Sequence, residues 1–235
     1  TCSPREIHAS TRQPCVSGKK MISYSDSTVP ELLVAGSVLA GMQSRATACG
    51  TPLMVVGALA SDLLIRHVVG VVPERTTADI DIAVSVGSWD DFTRITAGLE
   101  PARGGAHTFL LDGVEVDVIP FNGVESSDRT ITWQDDHVMN VLGFQEALAT
   151  AVAVQLPGSI TVHVACLPAQ AVLKVFAWRD RHLSNRRDAI DLRTILLSHS
   201  EGPNLEALYV DHTDVLSRYD FDPVPAGAHR LGSES

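Results

Sequence analysis

The most constraining feature of the sequence is an alternating stretch in its first half, Asp79-Ile-Asp-Ile-Ala-Val84. Successive side chains of a β-strand point to opposite faces, so a strand here places Ile80 and Ile82 on one face and Asp79 and Asp81 on the other. The apolar face belongs to a core, and the two carboxylates then crowd together. Like charges this close destabilise each other unless a cation lies between them. Mg²⁺ suits such a pair, because it prefers oxygen ligands and keeps positions for substrate phosphates. A strand end with two solvated aspartates is the alternative.

A third acid is predicted to join this pair through a β-hairpin. Asp112-Gly113 is a strong two-residue turn signal between two apolar runs. The strands that it would join are Thr108–Leu111 and Val114–Phe121. Pairing across the turn places alternate valines toward the core and puts Glu115 and Asp117 on the opposite face. We take Asp117 as the third acid and Glu115 as the weaker alternative. Three carboxylates on adjacent strands are the protein half of a two-metal phosphoryl-transfer site.

A strand, a glycine and a helix precede these acids. Residues 53–56 form an apolar run, Gly57 and Ala58 follow, and the next residues have helical spacing. This arrangement turns backbone N–H groups and a helix N-terminus toward an anion, here a triphosphate. One glycine at such a turn is weak evidence alone, and it gains weight by preceding Asp79 by 22 residues. Ser61 lies one helical turn further on.

Lysine usage singles out one cation. The chain has three lysines and 15 arginines, and Lys174 is the only lysine after residue 20. A compact ammonium at the edge of an apolar helix suits a phosphate, and a lysine that merely extends from a core helix into solvent is the alternative. Asp188 and Asp191 are three residues apart and share a face of a second helix. They either pair with neighbouring arginines or steer Lys174 or the acceptor.

The order of apolar runs and helical segments predicts an α/β fold. We expect a mixed sheet flanked by helices, followed by a mostly helical C-terminal part that includes a helix over 138–154. The predicted boundaries are a mobile N-terminal arm at 1–27, a core at 28–125, the mostly helical part at 126–218 and a loose acidic tail at 219–235.

Composition narrows the class of protein. With 45% hydrophobic and 20% charged residues the chain is globular, and its net charge of −10 is unfavourable for wrapping duplex nucleic acid. One basic patch, residues 174–193, holds six basic and three acidic groups. No apolar run approaches the roughly 20 residues that span a bilayer, so no membrane partner is expected. Four cysteines without a C-x-x-C pair predict free thiols and a cytoplasmic location.

The motifs together resemble a known superfamily. Gly57-Ala58, Asp79-x-Asp81 and Asp117 resemble the pattern of the DNA polymerase beta superfamily of nucleotidyltransferases, which is G-[GS], D-x-D and a distant third acid. Leu173-Lys174 and Arg187-Asp188-Ala-Ile-Asp191-Leu are similar to the additional motifs of AbiEii-type nucleotidyltransferase toxins of toxin–antitoxin systems. The resemblance covers about residues 52–197. Ala58 departs from the pattern, which usually has Ser or Gly there.

The resemblance implies a nucleotidyltransferase-like sheet and Mg²⁺-dependent transfer of a nucleoside monophosphate from an NTP donor to a hydroxyl. In related toxins the acceptor is tRNA, and a cognate antitoxin protein is the partner. The implied sites are Mg²⁺ at Asp79, Asp81 and Asp117; the nucleotide at Gly57, Ala58, Ser61 and Lys174; and catalysis by Asp79, Asp81, Asp117, Lys174, Asp188 and Asp191.

Two other functions are compatible with the motifs. One is a small-molecule nucleotidyltransferase of the antibiotic-modifying kind, for which an acidic body suits a cationic acceptor. The other is a non-catalytic binding module that retains the fold.

We expect the Lys174 ammonium to face the acids across the triphosphate. Four arginines should then lie outside that cleft and guide an anionic acceptor, namely Arg179, Arg181, Arg186 and Arg187.

Overall fold

A computed structural model describes residues 21–70, 79–103 and 105–234. Its strands are β1 (Ile22–Ser23), β2 (Leu53–Val55), β3 (Asp79–Val86), β4 (Glu100–Pro101), β5 (Thr108–Leu111), β6 (Val114–Asn122), β7 (Thr130–Thr132), β8 (Val138–Asn140), β9 (Val152–Leu156) and β10 (Ile160–Val164). Its helices are α1 (Pro30–Ala48), α2 (Gly57–Val69), α3 (Trp89–Thr96), α4 (Phe144–Ala149), α5 (Leu167–Arg181), α6 (Arg187–Ser198), α7 (Gly202–Val210), α8 (Thr213–Ser217) and α9 (Pro223–Glu234).

A mixed sheet forms the centre of the described residues. Its strand order is β1-β9-β10-β2-β3-β6-β5-β4, and β7 and β8 form a separate two-stranded ribbon. The strand β3 runs parallel to β6 and antiparallel to β2, and β10 pairs with β2 in parallel. Helices α1, α2, α3 and α4 pack on strands of this sheet, α5 packs on α2, α4 and α6, and α7 to α9 follow at the C-terminal end. The predicted class, a mixed α/β sheet flanked by helices and followed by a helical C-terminal part, is confirmed.

The two strands that carry the predicted acids form as their sequence pattern indicates. Along β3, Ile80, Ile82 and Val84 are buried, and the aspartates alternate with them on the other face. The hairpin β5–β6 closes at Asp112-Gly113, where both residues have positive φ values of 53° and 79°. Positive φ at both central residues is the geometry of a type I′ turn, whose twist matches that of the paired strands. The turn therefore fixes the register of β6.

The N-terminal boundary differs from the prediction. Residues 1–20 of the predicted arm lie outside the described residues. Ile22 and Ser23 form β1 and pair with Val154 and Gln155 of β9. The Tyr24 hydroxyl donates a hydrogen bond to the backbone oxygen of Leu63. Residues 22–24 thus belong to the sheet and its packing, because an edge strand needs only two or three residues to satisfy its backbone groups.

The boundary predicted at residue 125 is also wrong. The strands β9 and β10 lie in the second half of the chain and join the main sheet. The segment 138–154, predicted as one helix, contains β8, the short helix α4 and the start of β9. Gly143 interrupts it with a φ of 94°, a left-handed conformation that ends any continuous helix. The stretch is apolar enough for either structure, and pairing with distant strands decides between them.

The C-terminal tail is ordered, which corrects the prediction of a loose acidic segment. Residues 223–234 form α9, whose buried residues are Ala226, Gly227 and Leu231. The helix packs on α6 and α7. The buried residues form a stripe of mostly small side chains that fits against these neighbours. None of the helices in the described ranges combines the length and apolar character that a bilayer crossing requires.

Substitution of one glycine tests how closely α9 is packed. A Cβ at Gly227 would lie 2.5 Å from the backbone oxygen of His199, so Gly227→Ala should lower the free energy of unfolding by about 1–3 kcal/mol. Gly232 lies on the same helix with no heavy atom within 4 Å of such a Cβ. Gly232→Ala should therefore be neutral or stabilise by up to ~1 kcal/mol. Urea unfolding measures both, and equal effects would contradict close packing of α9.

Candidate active site

Two carboxylates lie side by side near the start of β3 and β6. The parallel register places Asp81 directly opposite Asp117 and Ile82 opposite Val118. The isoleucine and the valine are fully buried, which forces the two aspartates onto the opposite face of the sheet. Asp81 and Asp117 both line a cavity of about 360 Å³. The strand register therefore brings together two of the three predicted acids, Asp81 and Asp117.

Crowding and burial disturb the ionisation of this pair. Burial, together with the neighbouring carboxylates of Asp117 and Asp79, raises the pKa of Asp81 to about 7. The positive charges of Lys174 and Arg181 act in the opposite direction and do not cancel the rise. A cation beside such a carboxylate would offset both the burial and the charge repulsion that raise its pKa.

Asp117 supplies a second sign that a ligand belongs here. Its Oδ1 atom is buried and has no hydrogen-bond partner within the described residues. An unpaired buried carboxylate oxygen is costly, and such atoms are rare outside functional sites. Within residues 21–70, 79–103 and 105–234, no three His, Cys, Asp or Glu side chains converge as a complete metal cage. Mg²⁺ does not need one, since it is usually held by one or two carboxylates together with water and substrate phosphates.

Gly57 brings a helix N-terminus against Asp81. Its φ of 68° lies in the left-handed region, and a Cβ at this position would lie 2.6 Å from Asp81 Cγ. The backbone N–H of Val56 donates to the Asp81 carbonyl oxygen at 3.0 Å. Both the conformation and the space therefore require glycine here. The helix α2 begins at Gly57 with Ala58 in its first turn, so its free N–H groups lie next to the acid pair.

A network of charges between α5 and α6 forms another part of the cavity lining. Lys174 Nζ lies 2.7 Å from Asp191 Oδ2 and 3.3 Å from Asp188 Oδ1. Arg181 donates two hydrogen bonds to Asp188, at 2.6 and 2.8 Å. Asp188 is only 1% exposed. Burial by itself raises the pKa of Asp188, but the hydrogen bonds from Arg181 and the charge of Lys174 outweigh it, so the pKa is lowered.

This network bears on three predictions. Lys174 lines the same cavity as Asp81, as predicted, and its ammonium is held by the two aspartates of α6. Asp188 and Asp191 both pair with Lys174, which agrees with the second of the two roles considered for them. Arg181 was predicted to lie outside the cleft, and this is wrong, because it lines the cavity and holds Asp188.

The structure separates the predicted residues into groups. Those that line the cavity are Gly57, Asp81, Asp117, Lys174 and Asp188. Asp79 lies on the same face of β3 as Asp81, in register with Glu115, and acts on Asp81 through its charge. Ser61 is buried away from the cavity, with its hydroxyl against the Gln170 side chain, so the structure does not support its assignment to the nucleotide.

Other cavity residues were missed by the sequence analysis. Arg181 follows Lys174 by seven residues, two helical turns, and that spacing could have placed both on one face of α5. His107 and His137 also line the cavity. The His107 ring packs on Trp133 with centroids 5.4 Å apart. Nothing local marks these histidines, and only the hairpin register, which places Thr108 opposite Asp117, brings His107 near the acids.

Comparison with known proteins gives distant structural likenesses. No known protein family and no curated protein matches the chain. The antibiotic-resistance factor ANT(2'')-Ia, solved in solution, is 15% identical with a TM-score of 0.44, over 80% of this chain and 94% of that one. A crystal structure of ANT(2'')-Ia in complex with adenylyl-2''-tobramycin is 15% identical with a TM-score of 0.43, over 79% of this chain and 99% of that one. The Thermotoga maritima CCA-adding enzyme complexed with tRNA is 13% identical with a TM-score of 0.27, over 82% of this chain and 52% of that one. At these values the function has to be argued from this chain's own residues.

The raised pKa of Asp81 predicts how the stability of the metal-free protein depends on pH. Below pH ~4 Asp81 is protonated in both the folded and the unfolded chain, and between pH ~4 and ~7 only the unfolded chain loses the proton. Folding is therefore destabilised progressively as pH rises through this window. Asp81→Asn should raise the free energy of unfolding at pH 8 by on the order of a few kcal/mol and leave it nearly unchanged at pH 4.

Urea unfolding in EDTA at several pH values measures this difference. Asp211→Asn is the control, because Asp211 is exposed at the end of α7. The effect of this substitution on the free energy of unfolding should not vary with pH in the same way. An Asp81→Asn variant that is less stable than the parent at pH 8 would show that the carboxylate is a structural acceptor and not a strained ligand site.

Proposed function

We propose that the chain is a metal-dependent nucleotidyltransferase that moves a nucleoside monophosphate from an NTP to a hydroxyl acceptor. One observation carries the proposal: Asp81 and Asp117 lie in register on parallel strands, with Gly57 at the start of α2 pressed against Asp81. Lys174 and Arg181 line the same cavity. Paired carboxylates, a helix N-terminus and two cations are the groups that a bound triphosphate requires.

The triphosphate fits between the helix N-terminus and the cations. The first N–H groups of α2, around Gly57 and Ala58, have no partner within the helix and are suited to phosphate oxygens. Ala58 keeps its amide, so the loss of the usual hydroxyl at this position leaves the backbone contacts in place. Lys174 and Arg181 offset the remaining negative charge, and Asp188 holds both in position.

Mg²⁺ is the cofactor that these residues fit. The unpartnered Oδ1 of Asp117 and the raised pKa of Asp81 are both relieved by a divalent cation. Asp81 and Asp117 would hold it, and Asp79 adds negative charge beside them. When bound, such an ion neutralises charge on the phosphates and makes the acceptor hydroxyl more acidic.

The protein's own groups then have defined tasks in the transfer. The acceptor oxygen forms a bond to the α-phosphorus, the bond from that phosphorus to the bridging oxygen breaks, and pyrophosphate leaves. Asp117 takes the hydroxyl proton. Lys174 stabilises the negative charge on the phosphate oxygens during this step. Because Asp188 and Asp191 fix its ammonium beforehand, the charge is already in place when the reaction occurs.

The acceptor that we favour is tRNA, with the chain acting as a toxin that a cognate antitoxin protein restrains. Arg179, Arg186 and Arg187 lie on or between α5 and α6 with exposed side chains, close in sequence to the cavity residue Arg181. Exposed arginines of this kind can position a phosphate backbone. Asp180 favours a second candidate, a cationic small molecule such as an aminoglycoside, because its carboxylate lines the cavity as well.

Transfer assays with substituted chains test the proposal. Each NTP labelled at the α-phosphate is incubated with Mg²⁺ and either total RNA or a panel of aminoglycosides. Asp117→Asn and Lys174→Met should each lower the transfer rate by about 100-fold, since each removes charge stabilisation from the transition state. Arg218→Met is the control and should leave the rate unchanged, because Arg218 is exposed at the end of α8.

The labelled product identifies the acceptor. Label on RNA supports the tRNA assignment, and label on an aminoglycoside alone supports the second candidate. NTP binding without any transfer would instead make the chain a non-catalytic binding module.

A further inference from the structure

The cavity has an apolar wall besides its charged one. Four side chains form this apolar wall: Leu142, Phe144, Leu173 and Phe176. The charged residues of the cavity are sufficient to bind a triphosphate and a metal ion. Neither of these ligands would make use of an apolar surface. An aromatic surface beside a phosphate site is what a nucleobase requires, because every base has a π-face that stacks on such rings.

The helix α5 places the two kinds of groups side by side. Leu173, Phe176 and Ala177 line the cavity at helical spacing, together with Lys174 and Arg181 of the same helix. One helix face thus presents cations and apolar side chains to the same ligand. The guanidinium carbon of Arg179, on the next turn of the helix, lies 5.4 Å from the centroid of the Phe176 ring. This contact supports the ring.

The rest of the apolar wall depends on a close approach by α4. Gly143 has a φ of 94°, and a Cβ there would lie 3.1 Å from Leu173 Cδ2 and 3.3 Å from Phe176 Cε2. Phe144 begins α4 directly after this glycine, and its ring packs on Phe121 with centroids 5.8 Å apart. The aromatic side chains from α4 and α5 are therefore held by packing before any ligand binds.

Asn140 adds a polar group beside this wall. It lines the cavity, and its Oδ1 accepts a hydrogen bond from the Leu142 N–H at 2.8 Å. With its oxygen used in this way, the group that Asn140 offers a ligand is its Nδ2 donor. Nucleobases carry ring nitrogens and carbonyl oxygens that accept such a bond.

We propose that the apolar wall binds the base of the donor nucleotide, with Asn140 donating a hydrogen bond to the edge of that base. This inference rests on the proposed function and makes these residues determinants of donor selectivity. The triphosphate then extends from the base toward Gly57 and the acid pair, along the side of α5 that carries Lys174.

Calorimetric titration of the full chain separates base binding from phosphate binding. The ligands are ATP, GTP, CTP, UTP and inorganic tripolyphosphate, each with Mg²⁺. The best NTP should bind the parent protein more tightly than tripolyphosphate does. Phe176→Ala should raise the Kd of that NTP about tenfold by removing the stacking surface, and it should leave the Kd of tripolyphosphate within about twofold. Phe176→Leu keeps an apolar side chain at this position and should give an intermediate effect, which covers the case that the alanine variant does not fold.

Two further variants complete the test. Phe221→Ala is the matched control, because Phe221 is an exposed phenylalanine away from the cavity, and it should change neither Kd. Asn140→Asp keeps the acceptor for Leu142 and replaces the donor, so the ratios among the four NTPs should shift by about threefold to tenfold. Because all four NTPs carry the same triphosphate, any effect of the new charge on triphosphate binding cancels in these ratios.

Three results would overturn the inference. Equal Kd values for NTPs and tripolyphosphate would show that the base makes no contact with the protein. Binding of the donor phosphates, and with it the proposed function, would remain supported. A Phe176 variant that weakens tripolyphosphate as much as the NTPs would make the residue structural. If neither ligand binds the parent protein, the proposed function fails and the base site fails with it.

Discussion

The parallel register of β3 and β6 is the constraint on which the site depends. Side chains alternate along a strand, so a shift of one residue would turn Val116 and Val118 out of the core and Asp117 into it. The burial of these valines therefore fixes the position of the carboxylate. On its other side, β6 is held in register with β5 by the type I′ turn at Asp112-Gly113. Placing two like charges together costs free energy, and the hydrophobic contacts of both strands offset that cost.

The charge of this pair is balanced from the other side of the cavity. Lys174 and Arg181 act on the pKa of Asp81 from α5, and both are tied to Asp188 on α6. Asp188 is almost completely buried, and a buried carboxylate is stable only with paired, hydrogen-bonded cations. The α5–α6 pair and the sheet are thus linked electrostatically across a cavity, in addition to their packing.

Local patterns predicted the parts of the site that lie within one strand or one turn. The alternation around Asp81 and the hairpin before Asp117 each depend on neighbours along the chain, and both form as predicted. Lys174 could be placed because lysine is rare in this sequence. The site assignments for the metal and the nucleotide stay predictions.

The sequence could not reveal features that depend on distant partners. The segment that becomes β9 is apolar and short, and only its pairing with β1 and β10 distinguishes it from helix. Ser61 lies one turn from Gly57 and looks available from spacing alone, yet the rotation of α2 turns it toward Gln170. The helix α9 was hidden because its small residues fit a groove that the pattern of one segment does not show.

The pairing of β10 with β2 has a consequence for how the chain folds during synthesis. These strands are about a hundred residues apart, so the side of β2 that β10 covers stays open until residues 160–164 have left the ribosome. An open edge of a buried, apolar strand is prone to pairing with other chains, and pairings of such long sequence separation form slowly. Six of the eight strands of the main sheet, including both acid-bearing strands, thus precede β9 and β10 in the chain, and exposed strand edges of this kind make incomplete sheets prone to aggregation.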